Sequence, residues 1–147
     1  MFERRRASAR GTPSALSGGV GSGVKHHHDL IVWQLARELR REVFGLLRSS
    51  EAARRDLTLR YQLLKAVRKI APNIAEGFRR FHPRDIAHFL TYAYAGAAEV
   101  SEWLDDGEES QHWTDAELAA ARRLLRRLDK GLSGFIRYLN DAKAPGR

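Results

Sequence analysis

Four times along this chain apolar residues recur at steps of three and four, and no run alternates convincingly with period two. That spacing puts side chains on one face of a helix, so each segment must bury its stripe against another helix. The first stripe is Val32, Leu35, Ala36, Leu39, Val43, Leu46 and Leu47, opened by Asp29 as a cap and interrupted by Ser49 and Ser50. The second is Leu59, Leu63, Val67, Ile70, Ile74 and Phe78. His82-Pro83-Arg84-Asp85 reads as a helix start, with proline first and an acid in the first turn. The stripe after it is Ile86, Phe89, Leu90, Ala93, Ala97, Val100 and Leu104, and Asp105-Asp106-Gly107 is expected to stop it. Thr114-Asp115-Ala116-Glu117 fits a capping box, and Leu118, Ala121, Leu125, Leu128, Leu132, Phe135 and Leu139 follow. Four helices of roughly 20–27 residues, each about 30–40 Å long, predict an all-α, antiparallel up-down-up-down four-helix bundle over 29–142.

At 147 residues the chain is one domain, with residues 1–28 expected to form a disordered basic leader and 143–147 a tail. Arg4-Arg5-Arg6 is followed by a Gly- and Ser-rich stretch instead of an apolar one, so no secretory signal is expected. No apolar run approaches the roughly 18 residues a membrane span needs, and the expected location is the cytoplasm. Cysteine is absent, which excludes disulfides and cysteine-based metal sites or nucleophiles. His26, His27 and His28 lack partner ligands at a fixed spacing and read as a solvated run or tag remnant.

No catalytic motif occurs. Carboxylates in a helical bundle raise di-iron chemistry, which uses two Glu-x-x-His pairs on different helices plus two further glutamates. The chain offers only Asp85-Ile86-Ala87-His88 at a helix start and Glu109-Ser110-Gln111-His112 in a connection, and its last helix has no histidine. A non-enzymatic protein with no metal and no cofactor is expected.

The net charge of +8 is unevenly spread: +4 over 1–28, +8 over 37–84, −9 over 85–117 and +6 over 118–147. Either the blocks neutralise one another between adjacent helices or subunits, or the basic ones form a surface for an anionic polymer. The candidate surface is Arg37, Arg40, Arg41 and Arg48 on the first helix, with Arg54, Arg55, Arg60, Arg68, Arg79 and Arg80 on the second. Arginine dominates lysine there, which suits bidentate phosphate contact. Arg79-Arg80-Phe81-His82 sets two guanidiniums beside an aromatic and an imidazole, a contact for looped RNA or the seal of a bundle end.

Ile70-Ala71-Pro72-Asn73-Ile74-Ala75-Glu76-Gly77 puts a proline and a glycine inside the second stripe, costing about 3 and 1 kcal/mol in a helix interior. A bend or a helix terminus is expected at Pro72, with Asn73 and Glu76 on one face beside it. The third helix carries a run of small residues, Ala93, Ala95, Gly96, Ala97 and Ala98, that permits close backbone approach. Glu99 follows near its inner stripe, with Arg68, Lys69 or the Arg122–Arg127 group as candidate partners for the carboxylates.

Trp33 after Leu30-Ile31-Val32, the Asn73-Ile74-Ala75-Glu76-Gly77 string, and Gly96 with Glu99 in Ala95-Gly96-Ala97-Ala98-Glu99 together resemble one family. It is the bacterial four-helix-bundle family of large-subunit ribosomal RNA intervening-sequence proteins, related to accessory variability proteins of diversity-generating retroelements. The similarity spans about 30–140. The resemblance implies a homopentameric barrel of bundles whose basic surface binds nucleic acid, with no enzymatic activity. Two positions depart from the family's usual pattern: Leu64-Lys65 stands where it has a basic pair, and Pro72 lies next to Asn73 instead of two before it. The expected partners are therefore other copies of the chain and RNA or DNA. The alternative is a protein-only assembly module that takes a helical partner or a reverse transcriptase through Trp33, Tyr92 and Tyr94.

Overall fold

The computed structural model describes residues 30–142, so the leader, Asp29 and its expected capping role, the three histidines and the tail lie outside the described residues. Within them the chain forms α1 (Ile31–Ser49), α2 (Glu51–Arg55), α3 (Leu57–Phe78), α4 (Pro83–Glu109) and α5 (Asp115–Asp141), with no strand among the described residues. The four long helices make an antiparallel bundle. Around it α3 packs between α1 and α4, and α5 between α4 and α1, leaving α1 and α4 diagonally apart.

The stripes meet in one core that contains no polar or charged side chain among the described residues. Phe78, Ile86 and Phe89 are only half-buried, because they sit where α3 hands over to α4 at the bundle end. Sequence spacing also passed over Trp113, which is 3% exposed and seals the opposite end.

Local signals set the helix ends. Ser50 does more than interrupt α1: its hydroxyl accepts from the Ala53 amide at 3.1 Å and starts α2, a five-residue helix that periodicity alone cannot detect. Asp56 accepts from the Leu59 amide at 3.1 Å and caps α3. The capping box of α5 is complete, with Thr114 Oγ1 accepting from the Glu117 amide at 3.2 Å and Glu117 Oε2 accepting from the Thr114 amide at 2.9 Å.

Of the two readings of Pro72, the helix terminus falls: α3 runs through it to Phe78, with the ring on the exposed side. Asn73 Nδ2 donates to the Lys69 carbonyl at 2.8 Å, fastening the turn in which Pro72 supplies no donor. Nor does Gly107 stop α4, which continues to Glu109, because Gly107 faces inward against the Trp113 indole. A Cβ there would lie 2.4 Å from the ring, so the helix tolerates glycine in order to seat tryptophan. The stop comes later, at Gln111 with φ 61°. There His112 N–H donates to the Gly107 carbonyl at 2.8 Å and Gln111 N–H to the Glu108 carbonyl at 2.9 Å, a Schellman closure with glutamine in the left-handed position.

Candidate nucleic-acid interface

The residues behind the family resemblance are mostly scaffold, gathered on the α3–α4 contact. A Cβ on Gly77 would sit 3.1 Å from Phe89 Cβ and 3.3 Å from the Ile86 carbonyl, and one on Gly96 would sit 3.0 Å from Ile70 and 3.1 Å from the Lys69 stem. Because Gly96 leaves that space, Lys69 lies across α4 and its Nζ meets Glu99 Oε1 at 2.5 Å. Glu76 pairs within its own helix, with Arg80 at 2.6 Å. Both carboxylates are about half exposed, so neither is a buried charge needing rescue.

The charge blocks separate into two behaviours. The acidic end of α4 is partly paired from α5: Arg122 donates to Asp105 at 2.8 Å and to Glu108, and also reaches Asp115 at 2.7 Å. The hydrogen bonds it donates to Asp105 and Glu108 push the Arg122 pKa further above its ordinary value. The arginines of α1 and α3 have no such match.

Six of the ten candidate arginines converge where α1 packs on α3. Arg40 is crowded by Arg37, Arg68 and Arg41, and burial first, then these like charges, lower its pKa from the ordinary arginine value. Arg48, Arg60 and Arg68 rim a shallow cavity of about 220 Å³ floored by Phe44, Leu47 and Leu64. No carboxylate among the described residues lies within 4.0 Å of any of the six guanidiniums. Helical spacing explains why: Arg37, Arg41, Phe44 and Arg48 share one line of α1, while Glu38 and Glu42 turn away towards α5. Aromatic rings are interleaved: the Arg37 guanidinium lies 5.5 Å from the centre of the half-buried Trp33 ring, and that of Arg68 lies 5.4 Å from Phe44.

The other four divide. Arg54 belongs to the rim, but its guanidinium donates to the Leu47 carbonyl at 2.9 Å and to that of Arg48, closing the C-terminus of α1. Arg55 pairs with Glu51 on α2. Arg79 and Arg80 stand at the opposite end of α3; Arg80 is paired with Glu76 and stacked 4.7 Å over Phe89 of α4, so it faces away from the α1–α3 groove. Phe81 seals no bundle end; it is 95% exposed. Exposed Arg123, Arg127 and Lys130 on the outward line of α5 extend the positive surface, a placement that bundle geometry reveals. Trp33 and the exposed Tyr92 and Tyr94 do not share a face, because α1 and α4 are diagonal.

The α1–α3 corner is rigidly backed. Trp113 Nε1 donates to the Leu46 carbonyl at 2.9 Å, and His112 Nε2 lies 3.0 Å from Asp56 Oδ2, so the α4–α5 connection clamps the end of α1 and the start of α3 together. His112 above all, then the Leu59 amide, hold the Asp56 carboxyl below its ordinary pKa. No group of three metal-ligating side chains forms among the described residues. No described helix is long and apolar enough to cross a membrane.

These features define an antiparallel helical bundle with an arginine-rich groove whose guanidiniums have no carboxylate partner among the described residues. The chain belongs to the 23S rRNA-intervening sequence protein family, whose model matches residues 28–134, spanning every motif residue and every candidate arginine. No curated protein matches it.

Proposed function

We propose that this protein is a non-enzymatic, homo-oligomeric accessory protein that binds nucleic acid, RNA in the first place, through the α1–α3 face. The observation carrying this reading is the convergence of Arg37, Arg40, Arg41, Arg48, Arg60 and Arg68 without a carboxylate among the described residues, while the acids of α4 have their own arginine. Crowded guanidiniums that repel one another gain when a phosphate chain enters between them. The family's description, which ties its members to intervening sequences of 23S rRNA, supports RNA as the polymer. Self-assembly is supported by the exposed Phe81, Tyr92 and Tyr94, which lie away from the groove. Five copies of a bundle whose residues 29–147 carry +4 would bring about +20 to one assembly and make weak phosphate contacts multivalent.

The test is fluorescence anisotropy of a labelled structured RNA against the full chain across a salt series. Six phosphate contacts per bundle predict a log–log salt slope between about −4 and −5, and Arg40→Glu with Arg41→Glu should abolish binding while the fold survives. Lack of binding at low salt, or an unaffected double variant, sinks the reading. The alternative, protein-only assembly, is favoured by the exposed tyrosines of α4. It predicts that Tyr92→Ala with Tyr94→Ala removes partner capture, whether of a helical protein or a reverse transcriptase, and that the arginine variant does not.

A further inference from the structure

We infer that the α1–α3 groove takes an unpaired stretch of polynucleotide, with one base laid on Arg68 and a neighbouring one on Tyr61; this rests on the nucleic-acid reading above. A surface meant only for backbone phosphates needs charge and nothing else. This one has an apolar floor of Phe44, Leu47 and Leu64 beneath its arginine rim. At about 220 Å³ the cavity falls below the roughly 300 Å³ at which drug-sized ligand sites begin, so it fits a single planar group.

Arg68 is prepared for that group. Its guanidinium lies 5.4 Å from the Phe44 ring centre, within cation–π reach, on a side chain that is exposed to solvent. Such a plane is a stacking platform for an extruded base. Arg54 keeps the corner closed through its bonds to the Leu47 and Arg48 carbonyls, leaving Arg48 and Arg60 as the rim cations for phosphates on either side.

The second platform lies seven residues back on α3. Seven residues are two turns, so Tyr61 is on the same line as Arg68, about 10 Å away along the axis. It is 63% exposed, with Lys65 Nζ 5.9 Å from its ring centre as a further phosphate partner. A large ring left in water beside cations has no role in the core; stacked bases would cover it. A duplex cannot use either platform, because its bases are already paired and stacked and only its phosphates reach the rim.

The experiment compares full-length protein binding to oligouridine and to a fully paired RNA hairpin of equal length at matched salt. Wild type should prefer the single strand. Tyr61→Ala, at an exposed site that leaves folding intact, should weaken single-strand binding about tenfold with the salt slope unchanged and leave hairpin binding as it was. Phe44→Leu, which keeps an apolar floor but removes the ring under Arg68, should act in the same direction. Equal affinity for the two RNAs, or a Tyr61→Ala variant that binds oligouridine like wild type, overturns the inference. Arg48→Glu with Arg60→Glu separates the two levels. Loss of both RNAs there while Tyr61→Ala is silent removes only the stacking model, and no loss of either removes the basic-face reading itself.

Discussion

Replacing Gly107 by alanine should destabilise the protein, against the rule for glycine inside a helix. By propensity alone, alanine would gain about 1 kcal/mol. The new Cβ, however, would lie 2.4 and 2.6 Å from two carbons of the Trp113 ring and 3.3 Å from Leu59, so something must move. The two shortest contacts are both to the indole, so it is the indole that must shift. Shifting it strains a packed site by about 1–3 kcal/mol and breaks the bond from Trp113 Nε1 to the Leu46 carbonyl, a further 1–3 kcal/mol or so. After the propensity gain the net loss is about 1–5 kcal/mol, and a value near the middle of that range is a fall in Tm of about 10 °C for a domain of this size. Gly45→Ala is the control: its Cβ would meet only Arg48 Nη2 at 3.9 Å, so it should gain up to about 1 kcal/mol. Urea unfolding followed by circular dichroism measures both. In a Trp113→Leu background the Gly107→Ala penalty should disappear, since its cause is gone. If Gly107→Ala stabilises as Gly45→Ala does, the close fit of helix to indole is not what holds the α4–α5 connection in place.

Gln111→Gly should stabilise by about 1 kcal/mol in the same assay, because it relieves a side chain at φ 61° while keeping both closing hydrogen bonds. Asp56→Asn keeps a helix cap but loses the charge facing His112, and its cost should depend on pH. The Asp56 carboxyl is held below its ordinary value, so its contribution is fully present above about pH 4 and is lost as pH falls through the lower, folded-state pKa. Wild-type and Asp56→Asn stabilities measured by urea unfolding should therefore converge in acid; a gap that stays constant down the titration would contradict the His112 contact. Arg122→Ala should cost about 1–2 kcal/mol at low salt and less at high salt, and should not weaken RNA binding in an anisotropy titration.

The bundle was legible in the sequence because a stripe at 3.6-residue spacing needs only local information, and burial of Leu39, Leu63, Leu104 and Leu128 follows directly from it. The Thr114 box was legible for the same reason. What escaped depends on contacts distant in sequence. Gly107 and Trp113 make sense only together, and Trp113 finds its acceptor 67 residues away. The arginines could be named but not sorted, since whether Arg60 and Arg48 face one cavity depends on which helix lies beside which. Arg80 was drawn off partly by Glu76, a local i,i+4 pair, and partly by Phe89 of the next helix, which its sequence neighbourhood did not mark as a partner.

Because α1 lies diagonal to α4, and α3 and α5 flank it with further exposed cations, positive charge wraps three sides while the surplus of acids sits on the fourth. The molecule is thus an electric dipole across its short axis. In the field of a polyanion it would be turned groove-first before any contact forms, so added salt should act early, on the rate of encounter. Any charged neighbour beside it would feel the same torque.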